Sequence, residues 1–240
     1  MQDEGNEETN YIELADDIYY SFECKHGHRK NIILQERNFE ILFELGSLAL
    51  IEGFTREAVS SFAASLERFY EFVVFVILLH HKVEWDEMKK MWKPLENQSE
   101  RQIGAFKTAF TLNFLTSPPS IEDKKYVFSA FGRKVNATEF RNKVIQGRIP
   151  KYEEVLGYGE SVKHYISDIL KLLYTEEYND THLLMTRIIR NSINFVDAPI
   201  IIYSLPTIMK WTIPDNLDQT SLAEDLETLK KHKEHWIIRP

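Results

Sequence analysis

Arg141 and Asn142, with Gln146 five positions beyond the arginine, are the side chains of this sequence whose types and spacing point most clearly to chemistry. A guanidinium and two amides bind phosphate or carboxylate oxygens through paired hydrogen bonds. On a helix, five positions are roughly 1.4 turns. Val144 and Ile145 lie at i,i+3 and i,i+4 from Arg141 and share a face near it. Gly147 and Pro150 then supply the breaker chemistry that ends such a segment. The local charge is uneven. From Arg133 to Lys151 stand Arg133, Lys134, Arg141, Lys143, Arg148 and Lys151 against Glu139 alone. That stretch reads either as a phosphate-contacting face or as a solvated basic one.

The run Arg141-Asn142, then Gly147 and Pro150, followed by a helix, resembles the signature of the HEPN superfamily. The resemblance covers residues 36–175. It implies an all-α bundle of a kind that includes many metal-independent endoribonucleases of toxin–antitoxin, abortive-infection and phage-defence systems. It also implies a homodimer in which two motifs face one RNA groove, with no cofactor. Arg141, Asn142 and Gln146 take the catalytic positions by this resemblance, and Arg133, Lys134, Lys143, Arg148 and Lys151 become RNA-phosphate contacts. Glu57, Ser61 and Arg68 would line the same groove from a neighbouring helix. In the family a histidine follows the arginine and moves protons while the RNA 2′-hydroxyl attacks. Here position 146 is glutamine, and none of the 8 histidines has an arginine five to seven residues upstream.

An amide cannot exchange a proton near neutral pH, and general acid–base catalysis is worth about 10²–10⁴-fold. The expectation is a helical protein that binds RNA or a cognate protein partner with cleavage lost or weak. Two alternatives stay open. One is an active endoribonuclease in which Glu57, Glu67 or His164 substitutes as acid or base. The other is an unrelated helical interaction domain in which Arg141 and Asn142 merely cap a turn.

The elements that must position these residues follow from the apolar pattern, which gives a mainly α fold with a small N-terminal β-hairpin. Residues 1–10 are acidic and without periodicity, and are expected to be disordered. Residues 11–35 carry two short aromatic and β-branched runs around Gly27, a hairpin. Residues 36–175 are the helical bundle, and 176–240 a helical extension interrupted by Pro199 and Pro206. Within the bundle, 36–51 and Thr55 to about Lys82 are helical; Phe62, Leu66, Phe69, Val73 and Val76 mark the second helix's core face. From Phe72 to Leu79 that helix is apolar all round, which predicts burial on every side or a subunit interface. Helices are also expected at Trp85–Trp92, Glu96–Leu115 and Glu122–Gly132. Another begins at a cap on Asn136 or Thr138, and the next runs from Tyr152 to Tyr174. A last charged helix should start after a Thr220 or Ser221 cap and run to about His235.

Composition sets the remaining bounds. The 240 residues are 43% hydrophobic and 28% charged, enough for a substantial core. A net charge of −8 argues against binding nucleic acid over the whole surface. One cysteine excludes an internal disulfide framework, and the longest apolar run, Phe72 to Leu79, is far short of a membrane span. The acidic N-terminus is the reverse of a signal peptide, so a cytoplasmic location with no membrane partner is expected. Cys24, His26 and His28 cluster in the hairpin like half of a zinc ribbon. Four ligands are needed and no second cysteine exists, so they read as turn residues and no metal is expected.

Overall fold

The structure is a computed structural model, which describes residues 19–23, 26–34, 36–174, 200–203 and 220–236. The expected disordered tail, Cys24 and most of the stretch 176–219 lie outside the described residues. The fold is mainly helical with a small sheet near the N-terminus.

Among the described residues, five helices gather around one. The central helix α2 (Thr55–His80) packs against α1 (Asn38–Ile51), α3 (Trp85–Trp92), α4 (Ser99–Phe114), α5 (Ala137–Ile145) and α6 (Tyr152–Leu173). Its apolar stretch is consumed inside the chain. Phe72 to Ile77 and Leu79 are buried and Leu78 is half-buried. Phe39 of α1 stacks edge-on against Phe69, and Ser65 donates 2.7 Å to the Phe39 carbonyl. Close approach to α2 depends on two glycines that face one ring. A Cβ on Gly46 of α1 would lie 2.7 Å from Phe62, and one on Gly159 of α6 would lie 2.9 Å from the same ring.

The last helix, α7 (Leu222–Trp236), is fastened to α6 at its start. Ser221 is its cap: its hydroxyl accepts from the Glu224 N–H, while its own N–H donates 2.8 Å to the Glu224 carboxylate. Lys163 of α6, almost fully buried, reaches Asp225 at 2.5 Å and the Thr220 carbonyl. Leu222 and Leu226 join the core.

The N-terminal strands β1 (Tyr19–Glu23) and β2 (Arg29–Leu34) pair antiparallel, Ser21 opposite Asn31. A third strand, β5 (Ile200–Tyr203), lies parallel to β2 with Ile33 opposite Ile202. The helical extension expected over residues 176–240 is corrected to strand at Ile200–Tyr203. Three isoleucines and a tyrosine between prolines favour extended backbone over helix.

A second correction falls at residues 122–132, read from sequence as a short helix. The structure has one 3-10 turn (Lys124–Tyr126), then a hairpin of β3 (Phe128–Ala130) and β4 (Arg133–Val135). Phe128 and Ala130 are buried and Ser129 exposed, the two-residue alternation of a strand. Phe131 (φ 55°) and Gly132 (φ 76°) form the two-residue turn, both left-handed as a type I′ turn requires. This hairpin leads directly into α5 and fixes where Arg141 stands.

Candidate functional site

Helix α5 is short and closed at both ends. Asn136 is its N-cap, its side-chain oxygen accepting the Glu139 N–H at 2.8 Å. At the other end Gly147 (φ 107°) takes the left-handed position. The Gly147 N–H bonds the Val144 carbonyl at 3.0 Å and the Arg148 N–H bonds the Lys143 carbonyl at 3.1 Å. That pair of bonds is a Schellman motif, and it turns the chain back over the helix. Ala137, Phe140 and Val144 form the buried face, with Phe140 in contact with Phe128 and Tyr158.

Arg141 is half-buried on the flank of α5. One guanidinium nitrogen lies 3.0 Å from Glu67 Oε1 of α2, and Ser99 at the start of α4 donates to that same oxygen at 2.5 Å. Arg141 Nε is buried with no hydrogen-bond partner among the described residues. Behind the pair sits the phenol of Tyr158, which burial pushes far above its ordinary value while the Arg141 charge pulls the other way. Three helices are thus joined through one carboxylate.

The other motif residues do not converge on this point. Gln146 is the C-cap of α5 and is exposed. Five residues carry it about 140° around the helix from Arg141, so the two side chains face different ways. Asn142 is exposed on the surface. Glu57 and Ser61 lie ten and six residues before Glu67, about 15 and 9 Å back along α2, and no contact joins them to Arg141 among the described residues. Arg68 pairs with Glu71 at 2.7 Å and reaches the Glu96 carbonyl at 3.4 Å, clamping the α3–α4 connection. Of the substitute bases, Glu67 is brought to Arg141. His164 sits 2.9 Å from Glu160 on α6 instead, and Glu160 holds the Leu222 N–H.

The basic residues divide into two sets. Glu139 takes both Arg133 and Lys143, the latter at 2.8 Å. The Lys143 hydrogen bond and the Arg133 charge hold the Glu139 carboxyl below its usual value. Lys134, Arg148 and Lys151 are exposed and enter no ion pair among the described residues. Arg148 lies over the ring of Phe131, its Cζ 3.9 Å from the ring centroid, and Lys143 is 5.2 Å from that centroid.

Two residues here went unread in the sequence. Phe131 stands at the hairpin tip, and Glu154, in the first turn of α6, accepts the Phe131 N–H at 2.7 Å and the Lys151 N–H at 2.9 Å. The apolar alternation of Phe128 and Ala130 before Gly132, with Val135 beyond it, is the one trace of the hairpin in the sequence. Glu154 is three residues beyond the Lys151 cap, the position from which a glutamate reaches back.

In the hairpin β1–β2, His26 and His28 have ring centroids 6.2 Å apart at the turn. No group of three potential metal donors forms among the described residues, and no described helix is long and apolar enough to cross a membrane. No family model, curated protein or solved structure matches the chain.

Proposed function

We propose that the chain is a HEPN-like helical protein that binds RNA without turning it over, in a defence or toxin–antitoxin type of system. The observation that carries the reading is the placement of Arg141. Its guanidinium stands half-buried on one carboxylate, while Gln146 faces elsewhere and cannot carry a proton. An arginine so placed grips an oxyanion but has no family-type histidine beside it to complete a cleavage. Lys134, Arg148 and Lys151, which enter no ion pair among the described residues, add positive charge for phosphates. A homodimer, which the resemblance implies, would use a surface other than Phe72–Leu79, since that stretch is filled within the chain.

One observation favours a second reading. Glu67 is a carboxylate within 3.0 Å of Arg141 and could act as the substitute base of an active ribonuclease. Incubation of the protein with total RNA in EDTA separates the two, using Arg141→Ala and Glu67→Gln. Binding without cleavage, weakened about tenfold or more by Arg141→Ala, is expected. Cleavage that disappears in both variants would replace binding by catalysis through Glu67. Absence of any RNA binding by the unaltered protein would sink both and leave the plain interaction domain.

A further inference from the structure

The β3–β4 turn carries a ring where backbone chemistry asks for none. Type I′ turns favour Asn-Gly because both central residues need φ above zero, and a bulky side chain there costs about 1–2 kcal/mol. Phe131 occupies the first of these positions at φ 55°. It is held there from several directions. Glu154 fixes its N–H at 2.7 Å, and fully buried Phe140 stacks near-parallel on it, centroids 5.3 Å apart at 23°. On the solvent side Arg148, delivered by the Schellman turn after α5, places its Cζ 3.9 Å from the ring centroid. That distance is too short for an edge approach, so the guanidinium covers the face of the ring. The order from core to solvent is Phe140, Phe131, Arg148. Strain retained at a surface position that packing over-determines points to use rather than to stability.

The geometry points to a nucleobase-stacking site: a single unpaired base of RNA packs on the outer plane of Arg148, prolonging the Phe140–Phe131–Arg148 stack. Guanidinium planes and aromatic rings are the surfaces on which proteins stack splayed-out bases. Arg148 has no ion pair among the described residues, so the ring orients its charge without neutralising it. Lys134 on β4, three residues beyond Phe131, and Lys151, whose N–H shares the Glu154 carboxylate with the Phe131 N–H, are exposed charges left to meet the phosphates next to the base. The ligand class is therefore single-stranded RNA, read by stacking rather than by sequence. This rests on the RNA-binding reading above and adds to it a second contact region, separate from Arg141.

The test uses a short single-stranded RNA with one 2-aminopurine, the same sequence as a duplex, and polyglutamate. The unaltered protein, Arg148→Lys and Arg141→Ala are compared by anisotropy and by 2-aminopurine quenching. Arg148→Lys keeps the charge and removes the plane. It is expected to weaken single-strand binding by about 5- to 100-fold, to abolish quenching, and to leave the salt dependence unchanged. Duplex should bind more weakly and be insensitive to Arg148→Lys. Phe131→Leu, confirmed folded by circular dichroism, should lose quenching likewise. Equal affinity and quenching in Arg148→Lys would overturn the stack while Arg141-dependent binding kept the RNA reading. Polyglutamate bound as tightly as RNA would replace base stacking by plain acid recognition. No RNA binding by the unaltered protein would remove this proposal together with the reading it rests on.

Discussion

Asp168 shows how one side chain on α6 can tether a loop. Its Oδ2 accepts from Lys125 and from the buried Tyr126 hydroxyl, each at 2.7 Å. Desolvation pulls the Asp168 carboxyl upward, but these two bonds outweigh it and hold the group below its ordinary 3.8. A depressed acid stabilises the fold above its unfolded value and loses that contribution as pH falls through the folded one. Asp168→Asn is therefore expected to cost about 1 kcal/mol near neutrality. The difference from the unaltered protein should shrink as pH drops below about 4. Urea unfolding at pH 7 and in the acid range measures both. A gap independent of pH would place the effect in packing instead. At this scale the sequence offered Arg141 and, with Glu57 and His164, Glu67 as a possible acid or base; which of the three meets the arginine depends on the packing of α2 against α5 and was not legible. The amide at position 146 was visible in the sequence; that it points away from the arginine was not, since that depends on where α5 ends.

Among elements, the approach of α1 and α6 to α2 is set by the ring of Phe62 held between Gly46 and Gly159. A methyl at Gly46 would meet the ring at 2.7 Å and the Ala58 carbonyl at 3.3 Å. The ring has little room to retreat, because Gly159 of α6 lies against its other edge. Gly46→Ala gains about 1 kcal/mol of helix propensity but forces strain of about 1–3 kcal/mol on the core. The net cost is about 1 kcal/mol, so Tm is expected to fall by roughly 2–4 °C, and Phe62→Leu, costly alone, should restore part of the loss in the double variant. Additive effects would show that the contact is not what limits packing. The long helices were legible because their apolar stripes are long: the second was expected from Thr55 to about Lys82 and runs Thr55–His80. The β3–β4 hairpin was not, since three-residue strands offer little periodicity and Phe131 is an unusual residue for its turn. Ile200–Tyr203 was hidden in the same way, four residues whose partner strand lies near the far end of the sequence.

For the whole molecule, one contiguous core runs from Phe39 on α1 through α2 and α6 to Leu226 on α7. Trp92 is buried against Phe75, and Trp85 meets the same ring edge-on at 5.5 Å. Tryptophan fluorescence and far-ultraviolet circular dichroism are expected to report one coincident unfolding transition. Separated midpoints would mean that the surroundings of the 4 tryptophans, Trp85 and Trp92 of α3 among them, do not unfold in one step with the helices. Burial of Phe72–Leu79 within a single chain also settles a choice that periodicity left open, because an all-apolar stretch looks the same whether its cover is the same chain or another copy. The β2–β5 pairing has a further effect, on timing. Ile33 is synthesised early and Ile202 late, so at roughly 5–20 residues per second the first hairpin waits on the order of 10–30 s on the ribosome before its parallel neighbour emerges. Throughout that interval the free edge of β2 is open to any extended segment nearby, and chaperone occupancy of nascent chains should peak within it.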